Sequence, residues 1–340
     1  MELKTLHNND NDIFVGFVES RIGGRPENQD SYGFKETHFG FLLTVCDGMG
    51  GGPGGKTASS IAVQEIIRGI DEANDDEEVS NIIIKAVRRA NMAIIEAGNE
   101  NPSLKGMGST ATVLLLSDKS AFVAHVGDSR IYQIRGGKKV FRTFDHSMVF
   151  ELVKQKVITE EQARLSAQSN VITRALGMQP DLQVDVVERP YEKGDRFVLC
   201  SDGIHGSMPE KELLKMTANR KTALGAVLDD IATYVDNMGR SNGGGHDNLT
   251  LAIVETKINS KLKETMSKQV KNILMVLAVC CVISFICNIW QAVGSGKSEP
   301  VTATAESTVV AQIAQKDSVI NKQAETLKQL QAQIDSLTKK

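Results

Sequence analysis

ATVLLLSDKSAFVAHVGDSRIYQIRGGKKVFRT, residues 111–143, decides the fold. Short apolar runs alternate with turn dipeptides, and Gly136 with Gly137 marks a hairpin, so the stretch reads as an antiparallel meander. On its N-terminal side, DIFVGFVES (12–20) and THFGFLLTVCDG (37–48) read as strands. TASSIAVQEIIRGIDEA (57–73) and NIIIKAVRRANMAIIEAG (81–98) read as amphipathic helices joined by the acidic DDEE turn. On its C-terminal side come a helical stretch over 147–168, strands QVDVVERP and DRFVLCSDG, two helices within 209–237 and a last strand NLTLAIVET. Strands run in blocks and helices come in pairs. The expected class is therefore α+β with antiparallel sheets, and regular βαβ winding is excluded.

Composition sets the outer limits. The 340 residues are 41% hydrophobic and 24% charged, an ordinary globular balance that is too apolar for a disordered chain. The formal net charge of −3 excludes a wholly basic nucleic-acid binder. Five cysteines without a CxxC pair exclude a disulfide scaffold and a cysteine zinc site. MELKTLHNNDND has no apolar run, so no signal peptide is expected.

One segment departs from the average. ILMVLAVCCVISFICNIW, residues 273–290, carries no charge and, extended to 293, reaches 21 residues, enough to span a bilayer core of about 30 Å. The alternative is a buried core helix, but such helices normally show a polar face. Lys257, Lys261, Lys263, Lys268 and Lys271 precede the span, with Glu264 as the one acid among them, and after it only Lys297 is near. The positive-inside rule then puts residues 1–256 in the cytoplasm and the C-terminus outside, in a single pass through the cytoplasmic (inner) membrane. The basic stretch 257–272 also suits anionic lipid. Residues 294–308 read as a linker. In 309–338, Ile313, Ile320, Leu327 and Ile334 recur every seven residues, a short coiled coil that would pair two copies as a homodimer. The alternative there is a solvated single helix.

Chemistry gathers at the acids. Asp47 (TVCDGMGG), Asp128 (AHVGDSR) and Asp202 (VLCSDG) sit where an apolar strand stops beside glycine; Asp247 precedes the last strand, and Asp30 lies in RPENQDSYG. A strand end next to glycine exposes a carboxylate at a sheet rim. Converging carboxylates without cysteine or a paired-histidine motif favour hard cations, Mg2+ or Mn2+, which suit phosphate chemistry. Any one Asp-Gly alone is an ordinary turn. A rival reading is GGGPGGKT, residues 50–57, which matches the phosphate-cradling pattern G-x-x-x-x-G-K-[ST]. That motif needs a parallel sheet, and the chain downstream is a meander.

The ordered blocks RPENQD, TVCDGMGG, GMGSTAT, AHVGDSRIY, DHS, NVITRALG, FVLCSDG and GHDNLTLAIV resemble the bacterial type 2C protein phosphatases, metal-dependent serine/threonine phosphatases, over roughly residues 10–256. The resemblance implies an αββα four-layer sandwich of two antiparallel sheets with helix pairs outside. It implies that Asp47, the Gly48 carbonyl, Asp202, Asp247 and water bonded to Asp30 hold two Mn2+ or Mg2+ ions. It assigns Asp128 to a third metal site and Arg25 to the substrate phosphate, a structural salt bridge being the alternative for Arg25. The implied reaction is attack on phosphoserine or phosphothreonine of proteins by a hydroxide bridging the two metals, with Arg25 and Asp47 catalytic and no phosphoenzyme. The segment 146–168 corresponds to the family's flap. A serine/threonine kinase is the implied counterpart, and a catalytically weak regulatory module is the alternative function. The chain departs from the family pattern at Gln29, Met49, Gly52 and Lys56. Met49 replaces a histidine proposed as general acid in eukaryotic relatives, which leaves that proton to water or another group. His125, His146 and His246 adjoin motifs and read as structural or supporting groups, not as ligands.

Overall fold

In the computed structural model of the chain, residues 4–6, 13–50, 54–262 and 265 are described below. The span at 273–293, the linker and the coiled-coil tail lie outside these residues. Among the described residues, no helix is long and apolar enough to cross a membrane.

The elements in chain order are β1 (Lys4–Leu6), β2 (Phe14–Arg21), β3 (Ser31–Thr37), β4 (Gly40–Cys46), β5 (Gly48–Met49), α1 (Gly54–Asp71) and α2 (Val79–Glu100). There follow β6 (Gly108–Ser109), β7 (Ala111–Leu116), β8 (Ala121–Val126), β9 (Arg130–Arg135), β10 (Lys138–Arg142), α3 (Met148–Lys154) and α4 (Glu160–Arg164). The last are β11 (Asp185–Arg189), β12 (Arg196–Cys200), α5 (Asp202–His205), α6 (Glu210–Thr217), α7 (Leu224–Ser241) and β13 (Leu249–Thr256). One sheet has the order β1-β2-β13-β12-β9-β10 and the other β11-β8-β7-β4-β3, while β5 and β6 form a separate short pair. All pairings are antiparallel.

The long apolar runs have a direct cause: the central strands are buried on both faces. Phe41, Leu43 and Val45 of β4 face the opposing sheet with Leu114, Phe197, Leu199 and Val254. Leu42 and Cys46 of the same strand pack beneath Ala62, Ile66 and Ile83 of α1 and α2. On the other side, Val198 and Ile253 pack under Leu213, Leu228 and Ile231 of α6 and α7. Helix pair, sheet, sheet, helix pair is the expected four-layer order. Fully burying one such Leu or Phe contributes about 1.5–3 kcal/mol.

The structure corrects the meander. β7 pairs with β8 and β9 with β10, but β8 and β9 belong to different sheets. The chain changes sheets at Gly127, whose φ is +98° and where a Cβ would lie 2.7 Å from Thr110 Cγ2. Only glycine meets both conditions. Gly127→Ala is expected to cost on the order of 1–3 kcal/mol, read as a lowered denaturation midpoint with an unchanged m-value.

The helical stretch over 147–168 divides into α3 and α4. Lys156 takes φ +59° after α3, and a Thr159–Gln162 capping box starts α4. The edge strand β3 and the one-turn α5 were absent from the sequence reading. The boundary placed at 256 falls short, because Lys257 N donates to Ile13 O (2.7 Å), Ser260 N to Tyr191 O (3.0 Å) and Lys261 N to Asp118 O (2.9 Å). The first residues of the basic stretch therefore belong to the globular unit.

Candidate active site

Two sheet-to-sheet crossings and three strand ends meet at one rim. The crossing from β2 to β3 carries Arg25 and Asp30, and that from β8 to β9 carries Asp128. Asp47 follows β4, Asp202 follows β12, and Asp247 precedes β13. Arg25, Asp47, Gly48, Asp128, Asp202 and Asp247 all line one cleft of about 460 Å3, with Met49, Thr110, Asn170 and Asn248. Asp30 is not in the cleft wall. It lies buried at 2% exposure, with Oδ2 accepting from Ser201 Oγ (2.8 Å).

Groups that motif reading did not single out hold the acids in place. Asp47 N donates to Thr110 Oγ1 (2.8 Å) and Thr110 N to Asp47 O (2.8 Å), while Thr110 Oγ1 also bonds Ser129 Oγ (2.8 Å) beside Asp128. Asn248 Nδ2 donates to Ile22 O (2.8 Å) and Glu27 O (3.0 Å), and its Oδ1 accepts from Gln29 N (2.9 Å). One amide thus pins the loop that delivers Arg25 and Asp30. Ser201 Oγ also accepts from Thr250 N (3.1 Å), so Asp30 is tied to β12 and β13 together. A Cβ on Gly48 would lie 2.0 Å from Gly55 O, so this turn and the start of α1 touch backbone to backbone.

The electrostatics are those of an unneutralised acid cluster. Burial and then the charges of Asp202 and Asp247 push the Asp30 carboxyl up to about 7, against the hydrogen bonds it accepts. Burial, then Asp30, Asp202 and Asp128, raises Asp47 well above the usual carboxylate range. Burial followed by Asp202 and Asp145 does the same to Asp128, and burial followed by Asp247 raises Asp202. Asp30 Oδ1 and Asp202 Oδ1 are buried with no hydrogen-bond partner. Buried carboxylate oxygens are normally satisfied. An all-oxygen donor set with orphaned lone pairs and like charges forced together fits a hard divalent cation.

Arg25 Nη2 bonds Asp247 Oδ2 at 3.0 Å, with both side chains partly exposed (49% and 37%). The salt-bridge reading of Arg25 is therefore realised in this state. Exposed pairs of this kind contribute about 0–1 kcal/mol, so the guanidinium can be exchanged to an anion at small cost.

Lys56, the lysine of the GGGPGGKT pattern, donates to Asp30 O (2.9 Å) and Ser31 Oγ (3.2 Å). It braces the acid loop in an antiparallel structure, which disposes of the nucleotide-cradle reading. Among the described residues, His125, His146 and Asp185 form a compact trio away from the acid cleft. The two rings stack at 4.4 Å and 18°, His125 Nε2 bonds Phe144 O (2.9 Å), and His146 Nδ1 accepts from Gly127 N (3.1 Å). Lone pairs in parallel stacked planes do not converge on one ion, so the trio is a hydrogen-bonded brace for the β8–β9 crossing. Cys46 and Cys200 are free and buried, and burial raises both thiols to about 12, as befits inert core residues.

Known proteins are similar in sequence and fold. The family model described as protein phosphatase 2C matches residues 19–240. The serine/threonine phosphatase stp of Listeria innocua is 30% identical over 241 residues, covering 70% of this chain and 93% of that protein. The protein phosphatase PhpP of Streptococcus pneumoniae is 34% identical over 233 residues, covering 68% and 92%. The solved catalytic domain of the serine/threonine protein phosphatase PstP, in complex with two manganese ions, superimposes with a TM-score of 0.60 at 28% identity, covering 72% of this chain and 98% of that one. With the two-sheet sandwich and its acid rim, these matches place the chain in the protein phosphatase 2C family, as a serine/threonine phosphatase.

Proposed function

We propose that the acid cleft hydrolyses phosphoserine and phosphothreonine monoesters in proteins with two Mn2+ or Mg2+ ions held by Asp47, Gly48, Asp202 and Asp247, with Asp30 behind them. Asp128 stands where a further ion would bind. When bound, the metal pair would supply Lewis acidity and would make a water acidic enough to act as the nucleophile at neutral pH. The observation that carries this reading is the convergence of Asp47, Asp128, Asp202 and Asp247 on one cleft with Asp30 behind them, Asp30 and Asp202 each with an orphaned buried oxygen.

The chain's own residues do the rest. Thr110 and Asn248 fix the backbone on which the acids stand, so the cleft is organised before substrate arrives. Arg25, whose exposed pair with Asp247 can be exchanged at small cost, would present its planar fork to two phosphoryl oxygens and offset charge as the ester bond breaks. Asn170 and Ile172, just beyond the proposed flap segment 146–168, line the cleft.

The membrane reading is proposed on sequence grounds. Residues 273–293 anchor the enzyme in the cytoplasmic membrane, residues 257–272 meet anionic lipid, and the tail at 309–338 pairs two copies outside. A protein serine/threonine kinase must supply the substrates, because only phosphoryl transfer to hydroxyls makes the esters consumed here. The regulatory-module alternative is disfavoured by the complete set of acids.

The test is steady-state hydrolysis of a phosphothreonine peptide in Mn2+ and in EDTA. Turnover in Mn2+ that EDTA abolishes is expected, and turnover untouched by EDTA would sink the proposal. Arg25→Ala should raise KM about tenfold, with Arg25→Lys recovering little because a point charge lacks the bidentate fork. An unchanged KM would return Arg25 to a purely structural role.

A further inference from the structure

The loop that delivers Asp247 leaves α7 through backbone hydrogen bonds, Gly243 N to Arg240 O (3.3 Å) and Gly244 N to Gly239 O (3.0 Å), and its glycines bring no side chain to hold it. Gly243, Gly244 and Gly245 take φ of +100°, +74° and +71°, and a Cβ on any of them would meet nothing within 4 Å. The next residue is different. The His246 ring is seated on α7, where a Cβ on Gly239 would lie 2.1 Å from His246 Cγ. Its Nε2 bonds Asp236 Oδ1 at 2.9 Å, with both side chains 9% exposed. An ionised carboxylate only accepts, so Nε2 donates, while the buried Nδ1 has no hydrogen-bond partner. Arg240 Nη2 fixes the other Asp236 oxygen at 2.9 Å.

The backbone of His246 reaches the cleft. Its carbonyl accepts from Gly24 N (3.0 Å). Gly23 and Gly24 press directly on this loop, since a Cβ on Gly23 would be 2.0 Å from Asp247 O and one on Gly24 would be 2.4 Å from Gly245 N. Arg25 and Asp247 are the next residues along these two strands of backbone, and they bond each other. One ring, anchored in a core helix, therefore sets the height of both groups at the rim.

We propose that the Asp236–His246 pair, seated in the Gly239 socket, is a positioning clamp for Asp247 and Arg25, and so sets the enzyme's affinity for divalent cation and for substrate phosphate. It touches neither reacting atoms nor ligand, and it rests on the reading of Asp247 as a metal ligand.

The experiment is calorimetric titration of the full chain with Mn2+, alongside melting temperature and KM for a phosphothreonine peptide. His246→Leu, which fills the socket without bonding Asp236, should bind Mn2+ about tenfold more weakly and raise KM. His246→Gln, whose amide can still donate to Asp236, should recover part of both. Gly239→Ala separates clamp from scaffold. Its Cβ would drive the His246 ring off the helix, so the melting temperature should fall in either case; a merely structural site predicts unaltered Mn2+ binding by the folded protein, whereas the clamp predicts weaker binding. Wild-type Mn2+ affinity within twofold in both His246→Leu and Gly239→Ala, with Asp247→Asn weakened, would overturn the clamp. If Asp247→Asn itself binds normally, the ligand reading beneath the clamp falls instead. Should His246→Leu fail to fold, Gly239→Ala and His246→Gln decide the matter.

Discussion

Asp47→Asn is expected to abolish phosphatase activity and at the same time to raise the melting temperature of the metal-free protein. The two effects share one cause. The Asp47 backbone is held by Thr110 on both its N–H and its carbonyl, so an amide side chain leaves the turn in place. What changes is charge. Asp47 sits half-buried beside Asp30, Asp202 and Asp128, each of which opposes its ionisation. Removing a carboxylate from that group relieves repulsion that only a cation would otherwise offset. The same carboxylate is the proposed ligand between the two metals, and its loss should cost about 10^3-fold or more in kcat. A gain of about 5 °C in EDTA, measured by scanning calorimetry, together with lost Mn2+-dependent turnover, is the expected pair. A melting temperature that falls in EDTA would show that the acids are held by something other than mutual strain.

The second large effect is an inverted pH dependence of stability. For Asp30 the folded-state value is about 7 against an ordinary 3.8, so the unfolded chain ionises first as pH rises. The folded state then binds more protons than the unfolded one, and stability falls as pH rises from about 4 to about 7. For Asp30 alone the cost is on the order of 4 kcal/mol once pH passes its folded value, and Asp47, Asp128 and Asp202 act in the same direction. Asp185, Asp236 and Glu160 have lowered values, and their contribution is lost only below the usual carboxylate range. His125, His146 and His205 oppose this in the same window, because burial lowers their values and the stability they contribute rises with pH. The share of the cleft is therefore read against Asp30→Asn: in EDTA the urea midpoint of the wild type should fall relative to that of Asp30→Asn between pH 5 and pH 7.5. With Mn2+ that trend should reverse, because metal binding requires ionised carboxylates. Identical pH profiles of the two proteins in EDTA would be incompatible with the buried acid cluster.

The site was more legible in the sequence than the path of the chain. Asp47, Asp128 and Asp202 announce themselves because an apolar strand ending in a buried carboxylate beside glycine is a local pattern. Thr110, Ser201 and Asn248 do not, since each acts on groups far away in sequence: Asn248 on Glu27 (221 positions) and Ser201 on Asp30 (171 positions). β3 escaped notice because it is an edge strand with Lys35 and Glu36 turned to water, so alternation fades. A meander pattern does not tell which sheet each strand joins, because strand pattern and hairpin signals are the same whether the next strand joins its predecessor or crosses to the opposite layer. The crossing depends on the backbone of Gly127 against Thr110, a contact no periodicity records.

The split of the proposed ligands between the two sheets has a mechanical consequence. Asp47 continues a strand of one layer, while Asp202 and Asp247 flank strands of the other, and Asp30 and Asp128 ride on the spans between them. The sheets therefore act as the jaws of a calliper. The apolar filling between them, with the Phe14 and Phe41 rings at 4.4 Å and Tyr191 against Phe197, is the gauge block that sets the opening. With these acids as the proposed ligands, ion selectivity is then expected to depend in part on core thickness: a methylene added or removed deep between the layers should shift the preference between Mn2+ and Mg2+ without touching any ligand.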